Sequence, residues 1–218
     1  MTPTFRELLR REFKGRFTNA GQICLAAKRF ILTENIADAF EEQFVEAAQT
    51  IKVGDPTNEA TQMGPVARTD LRDTLHKQVQ DSVSAGAVLL CGGKPVPGKG
   101  AFYTPTVLSQ VKPGMRAFDE ETFGPVAAIM RAPDAGAAVK AANASEFGLS
   151  GNIWTRNVEL ARRMAREMYT GGVFINGVSA SDPRVPVGGV KKSGYGRELS
   201  SFGPHAFVNA QTVWIQNS

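Results

Sequence analysis

Residues 28–51, KRFILTENIADAFEEQFVEAAQTI, place a predicted strand directly before an amphipathic helix. The strand covers residues 28–32, and apolar residues then recur every three or four positions as far as Ile51, which is the spacing of one helix face. The same order of strand and helix returns along the chain, without an internal repeat or a linker. This alternation predicts an α/β fold, an open and mostly parallel twisted sheet with helices on both faces.

The other elements follow from the same two periodicities. Predicted helices cover residues 5–17, 71–83, 134–144 and 157–168, and the side chains of Asp134 and Asn157 can cap the last two. Predicted strands cover residues 87–90, 102–108, 126–130, 153–155 and 173–175, of which the first is expected to be buried. A final β-rich segment covers residues 206–215.

The composition is that of a folded protein rather than a disordered or nucleic-acid-binding one. Of the 218 residues, 42% are hydrophobic and 21% are charged, which suits one large domain or two small ones. The net charge of +4 comes from scattered cations, so we expect solvated surface positions and no nucleic-acid partner. No apolar run approaches the roughly 18 residues that a membrane span requires, so no membrane partner is expected.

The two cysteines, Cys24 and Cys91, favour a reducing compartment. Neither belongs to a Cys-x-x-Cys pair, and only His76 and His205 could join them as soft metal ligands. We therefore expect no metal site and a cytoplasmic location.

Cys24 ends the most informative motif, residues 17–24, FTNAGQIC. A thiolate beside a glycine-containing turn can attack a carbonyl and hold the acyl group for a second step. The backbone amide of Cys24 could stabilise the oxyanion that forms. The alternative for a free cysteine is a small buried hydrophobe. The complete motif favours the nucleophile, whereas Cys91 lacks such surroundings and is expected to be structural.

Two further motifs follow in order. Residues 120–126, EETFGPV, put two carboxylates before an aromatic-Gly-Pro turn, and a carboxylate can accept hydrogen bonds from two vicinal hydroxyls. Residues 186–194, PVGGVKKSG, precede Glu198. The alternative interpretations are a solvated acidic turn with a buried phenylalanine, and a solvated carboxylate at position 198.

The three motifs together resemble those of the aldehyde dehydrogenase family, over about residues 5–215. The resemblance implies that Cys24 is the catalytic nucleophile, that Glu121 binds the nicotinamide ribose and that Phe123 packs near the nicotinamide ring. It also implies a substrate channel lined by Ile23, Leu25, Ser181, Arg184 and Val187, and a proton path through Glu198. Val187 stands where the family usually has an aromatic residue, which implies a wider channel.

The activity implied by the resemblance is the NAD- or NADP-dependent oxidation of an aldehyde to a carboxylic acid, through a thiohemiacetal and a thioester on Cys24. Residues 19–24 and 181–184 resemble bacterial succinate-semialdehyde dehydrogenases. A semialdehyde acid needs a cation for its carboxylate. The arginine that is common six residues before the nucleophile is Thr18 here, which leaves Arg184 and Ser181 as candidates. The alternative for Arg184 is an ordinary surface arginine.

The resemblance assigns residues 1–200 to the catalytic domain, without its first strand and the NAD-binding domain, and residues 201–218 to a C-terminal oligomerisation segment of a homo-oligomer. The family's general base lies in a Glu-Leu-Gly-Gly segment, which this sequence does not contain. We therefore expect a fragment that binds no NAD or NADP and is inactive alone. The alternatives are a non-catalytic truncated subunit or oligomerisation module, and a Cys24-dependent esterase.

Overall fold

The computed structural model describes residues 4–216, an α/β arrangement of short strands and amphipathic helices. The helices are α1 (Phe5–Phe17), α2 (Glu34–Gln49), α3 (Thr69–Ser84), α4 (Arg116–Asp119), α5 (Ala135–Asn143), α6 (Val158–Glu167) and α7 (Phe202–His205). The strands are β1 (Arg29–Thr33), β2 (Val88–Cys91), β3 (Thr106–Ser109), β4 (Val126–Ala132), β5 (Phe147–Gly148), β6 (Ser150–Ile153), β7 (Gly172–Ile175) and β8 (Val190–Lys191).

The main sheet has the strand order β1-β4-β3-β2 and is mostly parallel. Strand β4 pairs in parallel with β1, where Arg29 is opposite Ala128, and with β3, where Thr106 is opposite Val126. Strand β2 pairs antiparallel with β3. Strands β6 and β7 form a separate parallel pair, and β5 pairs antiparallel with β8. The predicted α/β fold with a mostly parallel sheet is confirmed.

The core lies on both faces of β4, because successive side chains of a strand point to opposite faces. Ala127 and Ile129 pack in one apolar cluster with Phe40 and Phe44 of α2. The intervening residues of β4 pack in a second cluster with Leu75 of α3. Helices therefore cover both faces of the sheet, as the alternating pattern predicts.

The predicted helix caps are confirmed at two helix starts. The Asp134 side chain accepts a hydrogen bond from the Ala137 amide at 2.8 Å, and Asn157 accepts one from the Leu160 amide at 2.9 Å. Each cap satisfies an amide that the first helical turn leaves without an acceptor. Helices α5 and α6 therefore begin where the sequence places them.

Two predicted strands differ in the structure. Val88 and Leu89 of β2 are 40% and 41% exposed, so the expectation of a buried strand over residues 87–90 is wrong. Strand β2 lies at the end of the sheet and has a neighbouring strand on one side only, so fewer elements surround its side chains than those of a central strand. Residues 206–216 form no strand within the described part of the chain, and Phe207 and Trp214 there are largely exposed. A strand requires a hydrogen-bonded neighbour, and this segment has none among residues 4–216.

A cavity of about 730 Å³ lies between β1 and β6. Every residue of both strands lines it, and each strand is paired on one side only within residues 4–216. Side chains from α1, α2, α5 and α6 close it from the two faces of the sheet. Cys24 and its neighbour Leu25 also line the cavity. No helix among the described residues is long and apolar enough to cross a membrane.

Candidate active site

The turn before Cys24 has an unusual backbone. Asn19, Ala20 and Gly21 have φ angles of 53°, 52° and 72°, three consecutive residues in the left-handed region. Glycine adopts this region readily and asparagine tolerates it, whereas alanine pays a steric cost. The turn follows directly on α1 and leads to Cys24, whose side chain is exposed and lines the cavity.

Arg16 fixes this turn against the loop that carries the second motif. Its guanidinium is fully buried and donates to the carbonyl oxygens of Gly21 at 2.8 Å, Gly124 at 2.5 Å and Ala27 at 3.1 Å. A Cβ added at Gly21 would collide with the Arg16 Nη2 atom and the Gly124 carbonyl. The two loops therefore approach closely only because position 21 is glycine.

Burial lowers the pKa of Arg16 to about 10, although the charge of Glu121 opposes the shift. Arg16 is thus protonated at neutral pH, and its Nη1 and Nη2 atoms donate to backbone carbonyls, whereas its buried Nε atom has no partner among residues 4–216. Buried charges without a paired ion are costly unless such groups solvate them. We infer that the hydrogen bonds of Arg16 to the two loops offset the free-energy cost of burying its charge.

Gln22 holds the other side of the turn. Its Oε1 atom accepts from the Ala67 amide at 2.8 Å, and its Nε2 atom donates to the Asn19 carbonyl at 3.1 Å. Both ends of the amide are therefore used, one across the turn and one to the loop that precedes α3. This contact gives the glutamine of the motif a structural role.

The two adjacent carboxylates of the second motif have different surroundings. Glu120 accepts from Arg116 at 2.7 and 2.8 Å and from Gln78 at 2.8 Å, and these bonds lower its pKa. Glu121 has a side chain that is 43% exposed and lines the cavity with Cys24. The carboxylate that remains available for a ligand is therefore Glu121, the one singled out from the sequence.

Lys28 connects Cys24 with the second motif. Its ammonium donates to the Cys24 carbonyl at 3.2 Å and lies 3.4 Å from Oε1 of Glu121 and 5.9 Å from the ring centroid of Phe123. Burial lowers the pKa of Lys28, and the Arg16 charge adds to the effect, while Glu121 and Cys24 oppose it. Lys28 therefore brings three sequence-predicted site residues into one cluster.

The residues of this cluster fit a nicotinamide cofactor. The Phe123 ring is 41% exposed, which is a large apolar surface beside an available carboxylate. Glu121 can accept hydrogen bonds from two hydroxyls of a ribose, because a carboxylate has two acceptor oxygens and this side chain is 43% exposed. An exposed aromatic face next to such an acceptor suits a flat ring attached to a sugar.

The predicted substrate-channel residues are distributed unevenly. Leu25 lines the cavity with Cys24, and Ile23 is its half-buried neighbour in the turn. The described lining of that cavity does not include Ser181, Arg184 or Val187, and from the third motif it contains Lys192 and Ser193.

The predicted channel and proton-path residues in and around the third motif contact other residues. Arg184 is exposed and pairs with Asp182 at 2.6 Å. Val187 and Glu198 pair through their backbones, with N–O distances of 2.9 and 2.7 Å. The channel role of Ser181, Arg184 and Val187 and the proton path through Glu198 stay predictions.

Three residues that hold the site together were not found from the sequence: Arg16, Gln22 and Lys28. Gln22 belongs to the first motif, which was the only available signal. Arg16 and Lys28 resemble ordinary solvated cations in the sequence, since nothing local shows that they will be buried. Among residues 4–216, no group of acidic, histidine or cysteine side chains could hold a metal ion.

Comparisons with known proteins agree with this geometry. The sequence model of the aldehyde dehydrogenase family matches residues 5–213. The chain is 58% identical over 200 residues to a succinate semialdehyde dehydrogenase (NAD(P)+), Sad, of Escherichia coli strain K12, covering 92% of this chain and 43% of that protein. It is 49% identical over 212 residues to a succinate-semialdehyde dehydrogenase (NADP(+)) of Mycolicibacterium paratuberculosis, covering 97% of this chain and 45% of that protein.

A solved structure is similar over the same length. The succinic semialdehyde dehydrogenase of Streptococcus pyogenes, solved with NADP+, superposes with a TM-score of 0.94 at 34% identity. The match covers 99% of this chain and 48% of that one. The chain thus spans less than half the length of these relatives.

Proposed function

Because the chain belongs to the aldehyde dehydrogenase family, we propose that it carries the catalytic nucleophile for the NAD- or NADP-dependent oxidation of an aldehyde to a carboxylic acid. The observation that supports this most is the cluster of Cys24, Lys28 and Glu121, which line one cavity, with the Phe123 ring 5.9 Å from the Lys28 ammonium. Cys24 is exposed there, so a small carbonyl compound can reach its sulfur.

Cys24 acts by forming a covalent bond with the substrate. Its thiolate adds to the aldehyde carbon, and the C=O π electrons move to oxygen and give an oxyanion. The Cys24 amide forms no hydrogen bond within residues 4–216, so it is available to donate to that oxyanion. After the carbon is oxidised, Cys24 holds the acyl group as a thioester, and water releases the carboxylic acid and restores the thiolate.

Glu121 and Phe123 are proposed to hold the cofactor. When bound, the nicotinamide ring accepts two electrons and a hydrogen nucleus from the substrate carbon. Glu121 accepts hydrogen bonds from the ribose hydroxyls, and Phe123 presents its exposed face to the ring. These roles orient the cofactor against the turn that carries Cys24, since Arg16 fixes both loops.

Succinate semialdehyde is the proposed substrate, because the relatives at 58% and 49% identity are named for it. The substrate carboxylate requires a cation or a set of donors. Arg184 and Ser181 are the proposed partners. Arg184 is exposed and already holds the carboxylate of Asp182, which a substrate carboxylate could replace.

The test is protection of Cys24 by substrate. The chain is treated with iodoacetamide at neutral pH, with and without succinate semialdehyde, and modification of Cys24 and Cys91 is measured by mass spectrometry. We expect the aldehyde to slow the modification of Cys24 and not of Cys91, and succinate, which lacks the aldehyde, to protect less. Equal rates with and without aldehyde would contradict the proposal.

A second candidate function is that of a non-catalytic module that forms a homo-oligomer. The exposed apolar side chains of residues 207–215 and the half-paired edges of β1 and β6 favour association. Under this proposal residues 201–218 form an oligomerisation segment next to a catalytic domain of residues 1–200. Sedimentation of the chain with and without residues 206–218 tests it: loss of a dimer or tetramer on truncation is expected.

A third candidate is ester hydrolysis by Cys24 alone, which its exposure allows. Release of p-nitrophenol from p-nitrophenyl acetate, compared with a Cys24→Ala variant, measures it.

Both cysteines are free thiols, and we propose a reducing, cytoplasmic location for the protein on that basis.

A further inference from the structure

The main sheet and the β6-β7 pair are separated by a gap, although helices cover that gap on both faces. On one face, α5 packs against β1 and against α6, and α6 packs against β7. On the other face, α1 packs against α2, and Glu12 of α1 accepts a hydrogen bond from Trp154, the residue after β6. The cavity of about 730 Å³ lies between these two helix layers. Only the sheet layer is therefore interrupted.

The two strands that border the gap direct backbone groups into it. Strand β1 bonds to β4 through alternate residues, beginning with the Lys28 carbonyl, so Arg29 and Ile31 direct their N–H and C=O groups away from β4. In β6, Ser150 and Asn152 likewise direct theirs away from β7. These backbone groups form no hydrogen bond among residues 4–216. Such rows of free donors and acceptors are a template for another strand.

The helices present apolar side chains to the gap, with one exception. The apolar side chains are Leu8, Ile36, Phe40, Ala135, Ala138, Val139, Ala142, Leu160 and Met164. The exception is Glu12, which is 4% exposed. Its Oε1 atom accepts from the Trp154 indole, and its Oε2 atom has no hydrogen bond in the described part of the chain. A buried carboxylate needs further donors, so an occupant of the gap should be apolar and carry one donor.

We propose that the gap binds one extended peptide segment that this chain does not itself supply, and that Glu12 selects a segment with a hydrogen-bond donor in the side chain facing it. The segment pairs with β1 on one side and with β6 on the other, which joins the two sheets. A segment as long as β1, five residues, spans about 16 Å. Main-chain hydrogen bonds supply the affinity and side-chain pockets supply the specificity, as in other sites that add a strand.

Two other occupants fit the gap less well. A strand that is buried on both faces requires a nearly continuous apolar run. The exposed segment of a second copy, residues 206–215, AFVNAQTVWI, has at most three apolar residues in a row. A lipid-like molecule would fill the apolar volume but would leave the N–H and C=O groups of β1 and β6 without partners, which is costly. An apolar peptide strand satisfies both requirements.

The experiment measures peptide binding to the full chain by fluorescence anisotropy at pH 8, above the pKa of Glu12, which burial raises to about 7. The probe is a fluorescein-labelled peptide of five alternating valines and isoleucines between Gly-Ser flanks. Five further peptides carry a lysine at each apolar position in turn. We expect one lysine position to bind at least about tenfold tighter than the other four, because a charged donor meets the Glu12 carboxylate. In Glu12→Gln this preference should fall below about threefold.

Two controls test whether the peptide binds as a strand and in the gap. Methylation of alternate backbone nitrogens of the peptide removes N–H donors and should weaken binding at least about tenfold. Ala138→Trp fills the cavity from α5 and should also weaken binding at least about tenfold, whereas Ala137→Trp, on the same helix but outside the described lining, should leave it unchanged. Circular dichroism verifies that both variants fold. Should Ala138→Trp unfold, the methylated peptides and Glu12→Gln decide.

Each remaining outcome would overturn the inference. Equal binding of methylated and unmethylated peptides would indicate a site for apolar molecules rather than for a strand. A dimer of the free chain that is lost in Ala138→Trp would place a second copy in the gap. An unchanged lysine preference in Glu12→Gln would refute the role of Glu12, and no binding of any peptide at its solubility limit would refute the site. The inference goes beyond the proposed function and needs no chemistry at Cys24, so protection of Cys24 by aldehyde tests that function separately.

Discussion

Replacing Arg16 by methionine should destabilise the protein through the two loops that form the site. The side chain keeps much of its length and apolar contact, but the carbonyls of Gly21, Gly124 and Ala27 lose their donor. A hydrogen bond to a charged group contributes about 1.5–3 kcal/mol, so the gross loss is about 5 kcal/mol or more. Removal of a buried charge returns part of this, and we expect a net loss of about 3 kcal/mol.

The assay is urea unfolding followed by tryptophan fluorescence. With a denaturant slope of about 2 kcal/mol/M, the midpoint should fall by about 1.5 M urea. Arg10→Met changes an exposed arginine of the same helix and should shift the free energy of unfolding by less than about 0.5 kcal/mol. A loss below about 1 kcal/mol in Arg16→Met, or one equal to that of the control, would refute the argument that Arg16 joins the loops.

Three further outcomes follow from the same contacts. Glu12 is buried and accepts from Trp154 at 2.5 Å, and burial raises its pKa from 4.5 to about 7. Because the folded state holds the proton more tightly, the free energy of unfolding should fall as pH rises from about 4.5 to 7, and Glu12→Gln should remove this dependence and add up to about 3 kcal/mol at neutral pH. An unchanged slope of the unfolding free energy against pH would count against it. Gly21→Ala should cost at least about 2 kcal/mol, because φ is 72° there and the new Cβ meets the Gly124 carbonyl; urea unfolding measures it, and full stability would show that the close approach is relaxed easily. The chain alone, with NAD or NADP and succinate semialdehyde, should produce no NADH or NADPH above a Cys24→Ala control, because the sequence contains no Glu-Leu-Gly-Gly segment; a Cys24-dependent rate would overturn this expectation.

The regular elements could be predicted because their signals are local. Helix α1 shows its apolar spacing in thirteen consecutive residues, and Asp134 lies at the cap position itself. Exposure of β2 could not be predicted in this way, since it depends on which strands flank it. The same pattern, Val88 to Leu90, suits a central or an edge strand equally well.

Residues of the candidate site could be predicted where they lie within a recognisable sequence motif. Cys24 and Glu121 were found in this way, and the structure connects them through Lys28. Arg16 was not, because its burial depends on the Gly124 loop, 108 residues away in sequence. A cation in the last turn of a helix is ordinarily solvated and interacts with the helix dipole.

The loop before the third motif was the least predictable region. Ser181 and Arg184 lie in a long irregular segment, where few hydrogen bonds to regular elements define the side-chain positions. Their assignment rests on sequence position alone. Loop geometry of this kind follows from tertiary contacts rather than from local spacing.

The rate of alkylation at each cysteine tests the central claim most directly. Cys24 is exposed and lines the cavity, whereas burial raises the pKa of Cys91. The account predicts that iodoacetamide at neutral pH modifies Cys24 at least about tenfold faster than Cys91. Equal and slow modification of the two thiols would contradict it.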